Sequence, residues 1–97
     1  MPIPKHDDIR IPALKLLSEN DMLRLKDFEL PLADYFNLTD EEKIQEYESG
    51  NAKIFYDRIS WALSYMNMAG LVQKPKRGVY QISDVGREQL KNPEKLN

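Results

Sequence analysis

The residues best suited to chemistry lie in the second half of the chain, in a polar strip and in a cluster of cations. Residues 52–69 run without glycine or proline, and Gly70 follows them. This pattern predicts one long helix that stops where glycine supplies a positive φ. On a helical wheel, the predicted core face of that helix carries Phe55, Ile59, Ala62, Met66 and Ala69. The opposite side carries no apolar residue. We call this side the polar strip; it consists of Lys53, Asp57, Ser60, Ser64 and Asn67, and Trp61 flanks it.

Short polar side chains on a helix that fits the major groove are the groups that contact base edges in double-stranded DNA. The alternative is an ordinary solvated helix face. Solvated faces favour Glu and Lys, whereas Ser and Asn are poor helix formers, so the composition favours base recognition. Asp57 would accept a hydrogen bond from cytosine N4. Trp61 would stack or donate its indole N–H to a phosphate, although we favour the commoner role of covering a seam between helices.

Two short alternating segments, 71–74 and 79–82, follow the long helix and predict a β-hairpin. Its turn carries Lys76 and Arg77, and Lys74 ends the first strand. Three cations on a protruding hairpin can follow a phosphate backbone. Lysines that protect an exposed sheet edge from aggregation are the alternative. The position directly after the long helix favours the DNA contact.

The sequence contains no constellation typical of catalysis or metal binding. It has no cysteine and a single histidine, His6, which excludes disulfide frameworks, thiolate zinc sites and a cysteine nucleophile. It has no glycine-rich phosphate loop and no nucleophile elbow. The carboxylates crowded between residues 40 and 48 are typical of a solvated acidic face. We therefore expect a chain that is not an enzyme and that needs no metal or cofactor.

Length and composition limit the architecture that can position these residues. The chain has 97 residues, of which 41% are hydrophobic and 31% charged, as expected for one soluble globular domain. We expect a single domain over 1–97, with a flexible arm at 1–8 and a tail or linker at 92–97. The sequence shows no membrane span and no signal-peptide core, which predicts a cytoplasmic protein without a membrane partner.

Charge is divided unevenly along the chain. Residues 1–49 contain 6 Lys/Arg and 12 Asp/Glu, which gives them a net charge of −6. Residues 50–97 contain 8 Lys/Arg and 4 Asp/Glu, which gives them a net charge of +4, and the two halves sum to −2. This division predicts one acidic and one basic face. Because a ligand responds to the local potential, the negative total does not exclude a nucleic-acid partner.

Periodicity and capping signals predict the order of the elements. Thr39 and Glu42 form a capping box that opens a short acidic helix, Ser83 caps the last helix, and residues 22–24 make at most a strand fragment. The predicted helices cover residues 11–17, 26–36, 40–48, 52–69 and 84–91. The predicted order is helix, helix, short helix, long helix, hairpin, helix. This is the order of a winged helix-turn-helix, a mainly α fold with a small β-hairpin.

Four segments together resemble a known family. They are the stretch Gly50–Ala62 with its Arg58-x-x-Trp61-Ala62 pattern, Ala69-Gly70-Leu71, Lys76-Arg77-Gly78-Val79-Tyr80, and Ser83-Asp84-Val85-Gly86. The opening, with Ile9, Pro12 and Leu16-Leu17, matches as well, so the likeness covers nearly the whole chain. These residues resemble the N-terminal winged-helix domain of Mrr-type restriction endonucleases, the type IV enzymes that act on modified DNA.

The resemblance implies a DNA-binding domain that targets a C-terminal nuclease of the PD-(D/E)xK fold to DNA carrying modified bases. Among the matching positions, Gly70 and Gly78 take backbone roles and Arg77 contacts DNA. Arg58, Trp61 and Gly86 match as signature residues, and we expect Arg58 to pair with a carboxylate of the acidic half. A nuclease segment is absent from these 97 residues, so the resemblance implies either a fragment of a longer nuclease or a stand-alone relative.

Two further hypotheses stay open. A winged helix can act as a protein-interaction module that forms a homodimer or docks another subunit through its acidic helices. It can also be a stand-alone transcriptional regulator. A continuous positive surface from the polar strip to the hairpin tip would favour DNA binding, whereas apolar patches there would favour protein interaction.

Overall fold

A computed structural model describes residues 3–50 and 52–91. Its elements are α1 (His6–Ser18), β1 (Leu23–Arg24), a 3₁₀ helix (Leu25–Phe28), α2 (Glu29–Tyr35), α3 (Asp40–Ile44), α4 (Ile54–Met68), β2 (Val72–Lys76), β3 (Val79–Ile82) and α5 (Asp84–Lys91). The three strands form one antiparallel sheet in the order β1-β3-β2. This mainly helical arrangement with a small sheet confirms the predicted winged helix-turn-helix.

The first helix starts earlier than its proline suggests. We predicted a start near residue 11, yet α1 begins at His6 and contains Pro12 in its interior. Two carboxylates in the first turn, Asp7 and Asp8, complement the positive end of the helix, and Asp8 also accepts a hydrogen bond from the Lys5 N–H. The predicted arm is therefore too long, because its residues 6–8 are helical; residues 1, 2 and 92–97 lie outside the described part.

The predicted capping box is confirmed, but the helix that it opens is short. The Glu42 N–H donates to Thr39 Oγ1 over 3.1 Å, and the Thr39 N–H donates to Glu42 Oε1 over 2.8 Å. The helix ends at Ile44 rather than near residue 48, because Gln45 turns extended with ψ 129°. An isolated β-bridge then joins Glu46 to Lys53, so α4 begins at Ile54, two residues later than predicted.

The predicted hairpin, which we call the wing, packs beside α4 as expected. The Leu71 N–H bonds to the Met66 carbonyl over 2.9 Å, and β2 leaves the helix from there. The pairing of β2 with β3 shifts by one residue between Gln73 and Lys76. Pro75 lies in that interval and has no N–H to donate, so the strand bulges there and then continues to Lys76.

The third strand comes from the fragment at residues 22–24. Leu23 pairs with Tyr80 and Arg24 with Val79, which adds β1 to the free edge of β3. The sequence revealed the fragment but not its partner.

The core lies between α4 and α1, with β2, β3 and the 3₁₀ helix around it. Helix α4 buries Phe55, Ile59, Ala62, Leu63 and Met66, and α1 buries Ile9, Ala13, Leu14 and Leu17. Ala69, which the helical wheel placed on the core face, is exposed. The core fixes the rotation of α4 and leaves its polar strip on the opposite side.

Candidate nucleic-acid interface

The polar strip of α4 faces away from the core, as the wheel predicted. Lys53 occupies the N-cap position and is exposed. Ser60 and Ser64 are partly exposed, and their hydroxyl groups have no hydrogen-bond partner among the described residues. These two hydroxyls can therefore donate to or accept from an external ligand.

Two other members of the strip bind neighbouring segments. The Tyr47 hydroxyl donates to Asp57 Oδ2 over 2.8 Å, and this bond raises the pKa of Tyr47 above its ordinary value. Asn67 Nδ2 donates to the Val72 carbonyl over 2.8 Å. Asp57 thus secures the loop before α4, and Asn67 secures the start of the wing. Sequence reasoning missed Tyr47, since no local pattern links it to a residue ten positions away.

Trp61 lies beside the strip in a row of exposed apolar side chains. Its ring lies 5.8 Å from the ring of Tyr65, which in turn lies 5.0 Å from the ring of His6. Trp61 is 51% exposed and Met68, one turn beyond Tyr65, is 74% exposed. Trp61 is thus half-exposed, and its ring contact is with Tyr65 of the same helix; a role in covering a seam between helices stays a prediction. We call Trp61, Tyr65 and Met68 the apolar row.

Arg58 does not form the expected ion pair within the described residues. Its Nη1 donates to the carbonyls of Ile3 and Pro4, over 2.9 and 3.2 Å. A guanidinium presents several donors in a fixed plane and suits two adjacent carbonyls well. Arg58 thereby fastens the segment before α1 to α4, which gives a structural reason for its place in the signature.

The wing carries its cations without local neutralisation. Lys76 and Arg77 are exposed at the tip, where Gly78 closes the turn with φ 77°. The ammonium of Lys74 lies 5.4 Å from the centre of the Tyr80 ring, within the range of a cation–π contact. Within residues 3–50 and 52–91, none of the three cations pairs with a carboxylate.

The wing and α4 are neighbours along one flank of the helix. Tyr80 of β3 is buried, and burial raises its pKa, with a smaller contribution from Tyr56 of α4. The bond from Asn67 to Val72 ties β2 to the same flank. The structure thus ties the Asn67 end of the polar strip to the start of the wing, whose far end carries Lys76 and Arg77. The surface is not uniformly positive, because Lys53 is the one cation of the strip and the apolar row borders it.

The described part of the chain offers no other chemical centre. It contains no group of three or more His, Cys, Asp or Glu side chains that could hold a metal ion. Nor does any helix within it have the length and apolar character needed to cross a bilayer.

Comparison with known proteins places the chain in a family. No curated protein and no solved structure matches it at a significant level. Residues 6–92 match the family model described as the Mrr N-terminal domain, which covers nearly the whole chain. This match spans all of the elements from α1 to α5, and it confirms the resemblance found in the sequence. The chain therefore belongs to the Mrr N-terminal domain family, whose members are associated with restriction systems.

Proposed function

We propose that this chain is a non-catalytic DNA-binding domain that targets a restriction nuclease to double-stranded DNA, including DNA with modified bases. The observation that carries the proposal is the unneutralised wing, which leaves the C-terminal end of α4 and carries the exposed cations Lys74, Lys76 and Arg77. An exposed set of cations beside a groove-sized helix is the combination that fixes a protein on a duplex.

We assign phosphate contacts to the wing and base contacts to the polar strip. Lys76 and Arg77 contact phosphates, and the exposed Lys74 and Lys53 supply two further cations. Ser60 and Ser64 reach base edges or the groups that modify them. Asp57 and Asn67 also face the groove. Each presents the side-chain oxygen, Oδ1, that takes no part in its internal hydrogen bond. Trp61 lies at the margin of this surface, where its ring can stack or its indole N–H can donate to a phosphate.

The number of cations sets the strength of binding. Contact with three to five phosphates gives a slope of log Kobs against log salt of roughly −3 to −4.5, since each contact contributes about 0.9. So few contacts place the dissociation constant of the isolated chain in the micromolar range or above at physiological salt.

The test is a salt titration of binding to a fluorescein-labelled duplex, followed by anisotropy. Lys76→Ala with Arg77→Ala should flatten the slope by about 1.8 and weaken binding about sixtyfold at 0.1 M salt, equally on all duplexes. The matched control is Lys15→Ala with Lys91→Ala, which removes the same charge from α1 and α5. Equal binding by the wing variant and the parent chain would contradict the proposal.

The groove side of α4 has its own readout. Ser60→Ala and Ser64→Ala should leave the salt slope unchanged, because neither removes a charge. They should instead change the preference among duplexes of different sequence or base modification. If both variants rank the duplexes in the same order as the parent chain, the polar strip does not contact the bases.

The apolar row supports a second candidate function, homodimerisation. Trp61, Tyr65 and Met68 lie along one side of α4. Tyr65 also lines a cavity of about 320 Å³ between α1 and α4. A second copy of the chain could bury this row across a two-fold axis. Sedimentation velocity distinguishes the candidates: a dimer that Trp61→Ser converts to monomer supports this function, and a monomer at 100-fold different concentrations rules it out.

A further inference from the structure

We infer that the phosphate-binding surface continues from the wing onto β1 and the 3₁₀ helix, with Lys26 and Arg24 as its additional cations. The inference rests on the proposed DNA binding and extends it to a part of the chain that belongs to the acidic half. It is carried by the way the sheet joins this segment to the wing.

The pairing of β1 with β3 brings the segment to the wing tip. Arg24 is the register partner of Val79, the first residue of β3. The next residue, Leu25, donates its N–H to the carbonyl of Gly78 over 3.2 Å. Lys26 comes directly after Leu25 in the chain, so it lies one residue away from this hydrogen bond to the turn that Arg77 and Gly78 form. Cations that are about 50 residues apart in the sequence meet at one end of the sheet.

The local environment leaves these charges accessible. Lys26 is exposed and forms no ion pair within the described residues. The Arg24 side chain is 61% exposed, and its Nε lies 3.4 Å from Asp27 Oδ2. The main bond of Asp27 is to the backbone, where it accepts from the Arg24 N–H over 2.9 Å. The contact of Asp27 with the guanidinium is thus peripheral, and the terminal Nη groups are available to a phosphate.

The strand order gives the surface its width. In the order β1-β3-β2, the cations of β1 and β2 lie on opposite edges of the sheet. Two inter-strand spacings of about 4.8 Å separate these edges by roughly 10 Å. Phosphates of one DNA strand rise by about 3.4 Å per nucleotide along the helix axis, so a surface of this width can contact more than one phosphate.

The experiment compares single-charge variants of the full chain in the salt titration described above. Lys26→Ala should flatten the salt slope by about 0.9 and weaken binding about eightfold at 0.1 M salt, whereas Lys26→Arg should bind like the parent. Arg24→Gln should have a smaller effect in the same direction, because Asp27 already offsets part of its charge. Lys15→Ala on α1 is the control for an equal change in net charge, and thermal unfolding checks that each variant is folded.

The outcomes separate this inference from the function on which it rests. Loss of binding on changing Lys76 and Arg77 but not Lys26 would refute the inference and leave DNA binding by the wing intact. An equal loss in Lys15→Ala would also refute it, since the effect would then follow net charge rather than position. If the wing variant and Lys26→Ala both bind like the parent, the proposed function fails as well.

Discussion

Among the four glycines, Gly86 of α5 alone has neighbours within 4 Å of where a Cβ would lie, and enlarging it should destabilise the domain. A Cβ at this position would lie 2.2 Å from the Leu71 carbonyl oxygen and 2.8 Å from Cγ1 of Ile82. The carbonyl belongs to the backbone, where the Ser83 N–H donates to it over 3.1 Å. It cannot move aside without breaking that bond. We therefore expect Gly86→Ala to push α5 away from the start of the wing.

The magnitude follows from three contributions. Overpacking in a tight site costs about 1–3 kcal/mol, and the contact with a backbone atom places this case near the upper end. Weakening the bond from Ser83 to Leu71 adds about 1 kcal/mol. Alanine recovers about 0.5–1 kcal/mol through its better helix propensity. The net loss is about 2–3 kcal/mol, which corresponds to a decrease in Tm of roughly 10–20 °C for a domain of this size.

Thermal unfolding monitored by circular dichroism, with urea titration for the free energy, measures this loss. Val85→Ala is the matched control, because Val85 precedes Gly86 in the same helix and is 53% exposed. The control should remain within about 0.5 kcal/mol of the parent chain. A Gly86→Ala variant as stable as this control would show that α5 does not need the close approach, and the structural reason for the glycine would be lost.

Three further predictions concern the acidic half of the chain. Thr39→Ala should cost about 1 kcal/mol of unfolding free energy in a urea titration, because the Glu42 N–H loses its partner; no loss would contradict the role of the cap. The hydrogen bond from the Thr39 N–H to the Glu42 carboxylate lowers the pKa of Glu42 in the folded chain. The ionised Glu42 therefore stabilises the fold at neutral pH, and this stabilisation is lost as the pH falls below about 4. Glu42→Gln should flatten the stability curve in that range, and an unchanged curve would contradict this assignment. The purified chain should leave supercoiled DNA intact in the presence of magnesium or manganese, as judged on agarose gels against a sample with EDTA. Metal-dependent nicking that disappears when carboxylates of the 40–48 segment are changed would contradict the proposal that the chain is non-catalytic.

The parts of the fold that could be predicted depend on local signals. The Thr39 capping box, the stop at Gly70 and the turn at Gly78 each need only a few neighbouring residues, and the structure confirms all three. The rotation of α4 followed from its apolar periodicity, which the core preserves apart from Ala69 at its last turn. Local patterns were thus enough to place the wing directly after the helix that carries the polar strip.

The parts that sequence reasoning missed depend on partners far away in the chain. Arg58 binds carbonyls at residues 3 and 4, which carry no charge to signal the contact. Tyr47 reaches Asp57 across a loop whose bridge has no clear strand pattern. Arg24 faces Val79 through a strand of two residues, too short to show alternation. Each contact needs the tertiary fold before its residue types become informative.

The sheet explains how a chain of net charge −2 can expose a group of cations that no carboxylate opposes. In the helices, carboxylates find cations three residues away, as Asp7 does with Arg10 and Asp40 with Lys43. The wing offers no equivalent, because the residues that β3 places opposite β2 are Val79, Gln81 and Ile82, none of them acidic. Its cations therefore have no carboxylate opposite them in the sheet, whereas Asp40, Glu41 and Glu42 lie together on α3. Since exposed charges are screened beyond about 8–10 Å at physiological salt, a phosphate at the wing responds to these cations and not to the total.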